Sequence, residues 1–125
     1  MKKIINSKNA PAPIGPYSQA VLAGNTLFAS GQIAINPATG ELEMSSIEIE
    51  TEQVMQNIKA VLEEADMTFE NIVKCSIFLS SMDSFSRVNE VYGKYFPTNP
   101  PARETVEVSC LPKSVNVEIS FIAIK

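Results

Sequence analysis

The chain contains no histidine among its 125 residues. This absence excludes a Ser-His-Asp triad, a Cys-His dyad, a two-histidine ribonuclease mechanism and every zinc site that uses histidine. Any chemistry must therefore use arginine, carboxylates, hydroxyls, backbone groups and water. Only two cysteines occur, Cys75 and Cys110, and their spacing matches no zinc pattern. We expect free thiols and no bound metal.

Long apolar runs and basic clusters are also missing. No stretch approaches the roughly 20 apolar residues that a membrane-spanning helix needs, and the polar residues after Ile5 leave no signal-peptide core. The net charge is -4, which argues against a nucleic-acid partner. We therefore expect a cytoplasmic protein, without membrane or nucleic-acid partners, folded as one domain over residues 1–125.

The first half of the chain predicts a hairpin followed by a helix. Gly24-Asn25 separates two apolar segments, 17–22 and 26–30, and predicts a β-hairpin. Residues 36–40 predict a turn. Ser45-Ser46-Ile47-Glu48 has the form of a capping box. The residues that then recur at helical spacing are Ile47, Thr51, Val54, Ile58, Val61, Leu62 and Ala65.

The second half predicts strands over residues 72–80, 103–108 and 115–124, with a second helix between the first two. Asp83 or Ser84 is the expected cap of that helix. The inward face of the first strand is expected to carry Val73, Cys75, Ile77 and Leu79. The inner face of the helix is expected to carry Phe85, Val88, Tyr92 and Tyr95.

The resulting element order is β-β-β-α-β-α-β-β, with one hairpin early and another formed by the last two strands. This order favours an α+β fold in which two helices cover one face of a mixed sheet. We expect the opposite, semi-polar face to carry Arg103, Thr105 and Glu118. A face of this kind often meets another subunit, so the sequence predicts a homo-oligomer with its site between chains.

Arg103 is the leading candidate for ligand binding. It follows Pro100-Pro101, which restricts the backbone, and its planar guanidinium matches a carboxylate in bidentate geometry. The alternative is a surface arginine paired with Glu104 or Glu107, and spacing alone favours that alternative.

Two further residues could handle a water molecule. Glu118 lies on the polar side of an otherwise apolar strand and could deprotonate water, or it could pair with Lys113 or Arg103. Tyr17 ends a proline-rich loop, where its phenol could bind a substrate or simply pack its ring. Gly31 would let a ligand reach its N–H, although a bulge or turn is the commoner reason for glycine.

Six segments together resemble the RidA/YjgF family of reactive-intermediate deaminases, end to end and in the same order. They are residues 12–20, 29–33, 36–40, 88–92, 101–108 and 111–113. The resemblance implies a chorismate-mutase-like α+β fold and a homotrimer whose sheets form a barrel, with sites in the clefts between subunits. It also implies hydrolysis of 2-imino acids, released by PLP-dependent dehydratases, to 2-oxo acids and ammonia without a metal or organic cofactor.

The resemblance also assigns roles. Arg103 would hold the substrate carboxylate, and Tyr17 and Glu118 would orient the attacking water. Thr105 stands where many members carry cysteine, and its backbone carbonyl would lie near the imine nitrogen. We expect the substrate-binding set to be Ser30, Gly31, Thr105 and Asn89, although from its position alone Asn89 could also be a helix cap or an interface residue. Two alternatives stay open: a regulatory protein that binds a 2-oxo acid without catalysis, and an endoribonuclease, which the acidic charge and missing histidine disfavour.

Overall fold

The computed structural model describes residues 1–125, and its element order matches the order predicted from the sequence. The elements are β1 (Lys2–Ile5), β2 (Ala20–Ala23), β3 (Thr26–Gln32), α1 (Ile47–Glu64), β4 (Ile72–Leu79), α2 (Phe85–Gly93), β5 (Ala102–Glu107) and β6 (Val117–Ile124). Short 3-10 turns cover Phe69–Asn71, Met82–Ser84 and Pro112–Ser114. Neither helix has the length and apolar character required to cross a membrane.

Helix α1 begins one residue later than the predicted capping box. Ser46 is the N-cap, and its Oγ accepts a hydrogen bond from the N–H of Ile49 at 3.1 Å. Glu48 therefore does not close a capping box. It accepts two hydrogen bonds from Arg87 of α2, at 2.7 and 2.6 Å, and these lower the pKa of Glu48 to about 2. The predicted inward face of α1 is confirmed, since every one of its residues is buried.

The end of α1 is a Schellman motif built on a residue other than glycine. Asp66 has a φ of 57°, in the left-handed region. The N–H of Met67 donates to the carbonyl of Leu62 at 2.9 Å, and the N–H of Asp66 donates to that of Glu63 at 3.0 Å. Glycine adopts this backbone conformation without steric cost, whereas Asp66 terminates α1 with some backbone strain.

The strands form one mixed sheet in the order β1-β2-β3-β6-β4-β5. The early hairpin, β2–β3, is confirmed. The predicted late hairpin is wrong: β5 pairs in parallel with β4, and β6 lies between β3 and β4, antiparallel to both. The β4–α2–β5 segment is thus a crossover unit, which brings α2 against the edge strand β5.

Two helices cover one face of the sheet, as predicted, but Arg103 and Thr105 lie on that face. Cys75, buried under the helices, pairs with Arg103, and Ile77 pairs with Thr105. Residues directly opposite in neighbouring strands point to the same side of a sheet. The prediction that all three polar residues share the open face is therefore wrong, and only Glu118 lies there.

Strand β4 departs from its predicted alternation at its first residues. Val73 is 44% exposed, whereas Ile72 is buried. A register irregularity between Ile72 and Lys74, opposite β6, accounts for this reversal, because an inserted residue turns the following side chains over. Cys75, Ile77 and Leu79 are buried as predicted.

Candidate functional site

Arg103 is held by three side chains of α2. Its Nη1 donates to Asn89 Oδ1 at 2.6 Å. Its guanidinium carbon lies 5.1 Å from the centre of the Tyr92 ring and 5.6 Å from that of Phe85, within the range of cation–π attraction. The crossover connection explains the arrangement, because α2 packs directly beside the strand that carries Arg103.

Arg103 has no carboxylate partner within the chain. Glu104 pairs with Lys74 at 2.9 Å on the other face of the sheet, and Glu107 accepts the N–H of Met82 at 2.8 Å. The surface-pair alternative for Arg103 is therefore wrong. One guanidinium N–H is used by Asn89 and the others remain available to a ligand.

The guanidinium opens onto a cavity of about 500 Å³, whose walls include Asn89, Tyr92, Phe96 and Pro100. Two buried hydroxyls lack a hydrogen-bond partner. One belongs to Tyr92, which lines this cavity, and the other to Thr105, which lies two residues after Arg103 on β5. Burial raises the pKa of Tyr92, so its phenol stays protonated at neutral pH. Burial likewise raises the pKa of the neighbouring Cys75 thiol, which argues against a thiolate nucleophile at this position.

Glu118 lies on the opposite face, against the backbone of Gly31. The pairing of β3 with β6 shifts between Ala29 and Gln32, so the glycine occupies a bulge. A Cβ placed on Gly31 would lie 2.5 Å from Oε2 of Glu118 and 2.6 Å from its Cδ. With glycine at this position the Glu118 carboxylate can lie against the backbone, whereas any side chain here would displace it.

Glu118 is unpaired as well. It receives no hydrogen bond from the chain, and the ion pairs considered for it, with Lys113 or Arg103, are not formed. Partial burial raises its pKa above the usual range of a glutamate. A carboxylate with a raised pKa can accept and return a proton closer to neutral pH than an ordinary one.

Tyr17 and Glu118 both line another cavity, which has a volume of about 340 Å³. Its Oη accepts a hydrogen bond from the N–H of Ile14 at 3.2 Å, which leaves its own proton free to donate. Ser30 Oγ donates to the carbonyl of Ser18 at 2.6 Å and so ties the Tyr17 loop to the β3 bulge. Ser30 thus organises the cavity.

The predicted residues therefore form two groups. One group lines the 340 Å³ cavity and consists of Tyr17, Ser30, Gly31 and Glu118, together with apolar Ile14, Ile33 and Pro112. The other group lies at the 500 Å³ cavity, which Arg103 and Asn89 line, with Thr105 next to them on β5. The two cavities share no residue, and their charged groups lie on opposite faces of the sheet.

One supporting residue is absent from the predicted set. Glu50 is fully buried and accepts the backbone N–H groups of Asn116 at 2.7 Å and Val117 at 3.2 Å, with a third bond from the Asn116 amide at 2.8 Å. It ties α1 to the start of β6, directly before Glu118. Its place three residues after buried Ile47 was a usable signal, because a carboxylate at core spacing needs donors.

Known proteins match this chain along nearly its whole length. The endoribonuclease L-PSP family model matches residues 7–125. A RutC family protein of Pyrococcus horikoshii is 51% identical and covers 100% of this chain and 99% of its own. The crystal structure of YyfA, a Rid family protein of Yersinia pestis, superposes with a TM-score of 0.97 at 52% identity, over 100% of both chains. E. coli TdcF with bound serine superposes with a TM-score of 0.94 at 36% identity, over 98% of both chains.

Proposed function

The chain belongs to the RidA/YjgF family, and from that premise we propose that it hydrolyses 2-imino acids, such as 2-iminobutanoate and 2-iminopropanoate, to 2-oxo acids and ammonia. The observation that carries the proposal is Arg103, a fixed cation that opens onto a cavity and lacks a carboxylate partner. A substrate carboxylate would supply the missing acceptor, in a contact that contributes about 1.5–3 kcal/mol.

The remaining chemistry requires one water and one proton acceptor. The iminium carbon is already electrophilic, so water can add to it once both are placed together. Glu118 would take a proton from the attacking water and return it to the amine. Ammonia then leaves as the carbonyl forms, and the hydroxyl proton passes through the freed Glu118 carboxylate to the ammonia, which departs as ammonium. The raised pKa of Glu118 suits these proton transfers, and the free O–H of Tyr17 would orient the water.

A complete site needs Arg103 from one chain and Glu118 from another, and we propose that they meet in a homotrimer. The two residues face opposite sides of the sheet within one chain. The open face supports an interface, because it carries a continuous apolar row. The row runs through Ile4, Val21, Phe28 and Ile122, which are paired across neighbouring strands. Ile4 is 50% and Phe28 is 49% exposed, which is typical of a surface that another chain covers.

Turnover can be tested by coupling the protein to a threonine dehydratase that generates 2-iminobutanoate in solution. We expect faster release of 2-oxobutanoate and ammonia than in buffer. Arg103→Ala should abolish the acceleration, and Arg103→Lys should restore little, because an ammonium cannot form the bidentate fork. No acceleration by the folded wild type would refute the proposal, and near-normal turnover by Arg103→Ala would refute the site.

The shared site makes a separate prediction about mixed assemblies. Arg103→Ala should be inactive alone, and Glu118→Ala should keep only a small residual turnover. When equal amounts are refolded together, about a quarter of the sites would combine an intact Arg103 with an intact Glu118, and activity should return to about that fraction. A mixed trimer that is no more active than the separate variants would show that both residues act within one chain.

A second candidate is a protein that binds a carboxylate metabolite without converting it. The Arg103 cavity would serve this role equally well, and the related E. coli TdcF has been crystallised with serine bound. Binding of 2-oxobutanoate without acceleration of imine hydrolysis would favour this candidate. An RNA-cleavage assay with wild type and Arg103→Ala tests the activity for which the family model is named.

A further inference from the structure

The hydrogen bond between Arg103 and Asn89 combines a cation with a neutral acceptor. The Nη1–Oδ1 distance is 2.6 Å, and Asn89 is partly buried in the middle of α2. The rings of Tyr92 and Phe85 lie over the same guanidinium. The guanidinium therefore has its position fixed by one helix, although no negative charge is involved.

Charge distinguishes this arrangement from an ordinary internal ion pair. Aspartate has the same shape as asparagine and would hold Nη1 in the same way, but its carboxylate would also satisfy the cation. The nearby carboxylates are engaged elsewhere: Glu104 pairs with Lys74, and Glu107 accepts a backbone N–H. Arg103 thus keeps its positive charge and most of its donors for a group from outside.

We propose that Asn89 is a positioning residue, which orients Arg103 through a neutral acceptor and thereby keeps its charge available to the ligand carboxylate. Asn89 was expected from the sequence to contact the substrate. Its amide oxygen is used by Arg103 instead, so it acts through the arginine. The inference rests on the proposed function only for the identity of the ligand, because carboxylate binding can be measured without turnover.

The test measures the dissociation constant of 2-oxobutanoate by isothermal titration calorimetry, with melting temperature as the check of folding. Asn89→Asp preserves shape and adds charge, and we expect it to weaken binding about a hundredfold. Asn89→Ala removes the tether alone and should weaken binding about tenfold. Asn89→Ser is the neutral variant if Asn89→Ala does not fold. Ser86→Asp adds the same charge at an exposed position of α2 and should change binding by less than about twofold.

A double-mutant cycle distinguishes positioning from a general structural effect. In an Arg103→Ala background, Asn89→Asp should cause no further loss of binding, because the arginine through which it acts is gone. The inference would be overturned if Asn89→Asp bound 2-oxobutanoate as tightly as Asn89→Ala, or as Asn89→Ser where that variant replaces it. Wild-type affinity in Asn89→Ala would also overturn it. A wild type that binds no 2-oxobutanoate would overturn both this inference and the carboxylate site. Binding without turnover would overturn deamination alone.

Discussion

The substitution Gly31→Ala probes the placement of Glu118 with a single methyl group. The new Cβ would lie 2.5 Å from Oε2 and 2.9 Å from Cγ of Glu118. An ordinary contact between these atoms is about 3.5 Å, so the carboxylate must move by about 1 Å. The backbone of Gly31 is outside the left-handed region, so alanine adds no torsional strain.

The expected result is a loss of turnover with little loss of stability. A displacement of about 1 Å in a reacting group can reduce the rate about a hundredfold, so we expect kcat for 2-iminobutanoate to fall by about that factor. The Glu118 side chain can swing into the adjoining cavity, so the free energy of unfolding should change by less than about 1 kcal/mol. Dehydratase-coupled kinetics and urea denaturation measure the two quantities.

A matched background tests the cause. If Gly31→Ala acts through Glu118, adding it to Glu118→Ala should produce no further loss, because the displaced carboxylate is already absent. A Gly31→Ala variant that keeps turnover within about threefold of wild type would refute the reasoning, as would an undiminished additional loss in the double variant.

Three further predictions concern stability. Burial raises the pKa of Glu118, so the stability that comes from its protonated form is fully present below the pKa of the unfolded chain and is lost as pH rises through the pKa of the folded one. Glu118→Gln should therefore raise the melting temperature at about pH 8 but not at about pH 4. An equal rise at both pH values would contradict this. Asp66→Gly should increase the free energy of unfolding in urea by about 1 kcal/mol, since glycine accepts the positive φ, and a decrease would contradict the strain argument. Glu50→Ala should decrease it by about 3 kcal/mol, since Asn116 and Val117 lose their acceptor, and a loss below about 1 kcal/mol would contradict that role.

The sequence predicted the elements better than their pairing. Alternation along residues 115–124 correctly placed Glu118 on the polar side of an otherwise apolar β6, because burial follows the two-residue period of a strand. The alternation carried no information about which strands pair with one another. The last two strands lie close in sequence and invited a hairpin, whereas the crossover through α2 places β5 beside β4.

The same uncertainty about β5 affected the prediction that Arg103, Thr105 and Glu118 share the open face. The chemistry of Arg103, Glu118, Tyr17 and Gly31 could be inferred from residue type and family resemblance. The face on which Arg103 lies could not, because a partly exposed edge strand alternates weakly: Arg103 and Thr105 are partly buried between exposed neighbours. Contacts distant in sequence, such as Arg103 with Asn89 or Glu118 over Gly31, depend on the sheet order and required the structure.

If the two cavities join between chains as proposed, their location on separate faces would link ligand concentration to assembly. A carboxylate that contacts both Arg103 of one chain and Glu118 of another would contribute its binding free energy to the association of those chains. At a concentration about a hundredfold above its dissociation constant, such a ligand stabilises the bound state by about 2.7 kcal/mol. The melting temperature would then rise with both ligand and protein concentration, and the fraction of assembled protein would follow the supply of substrate.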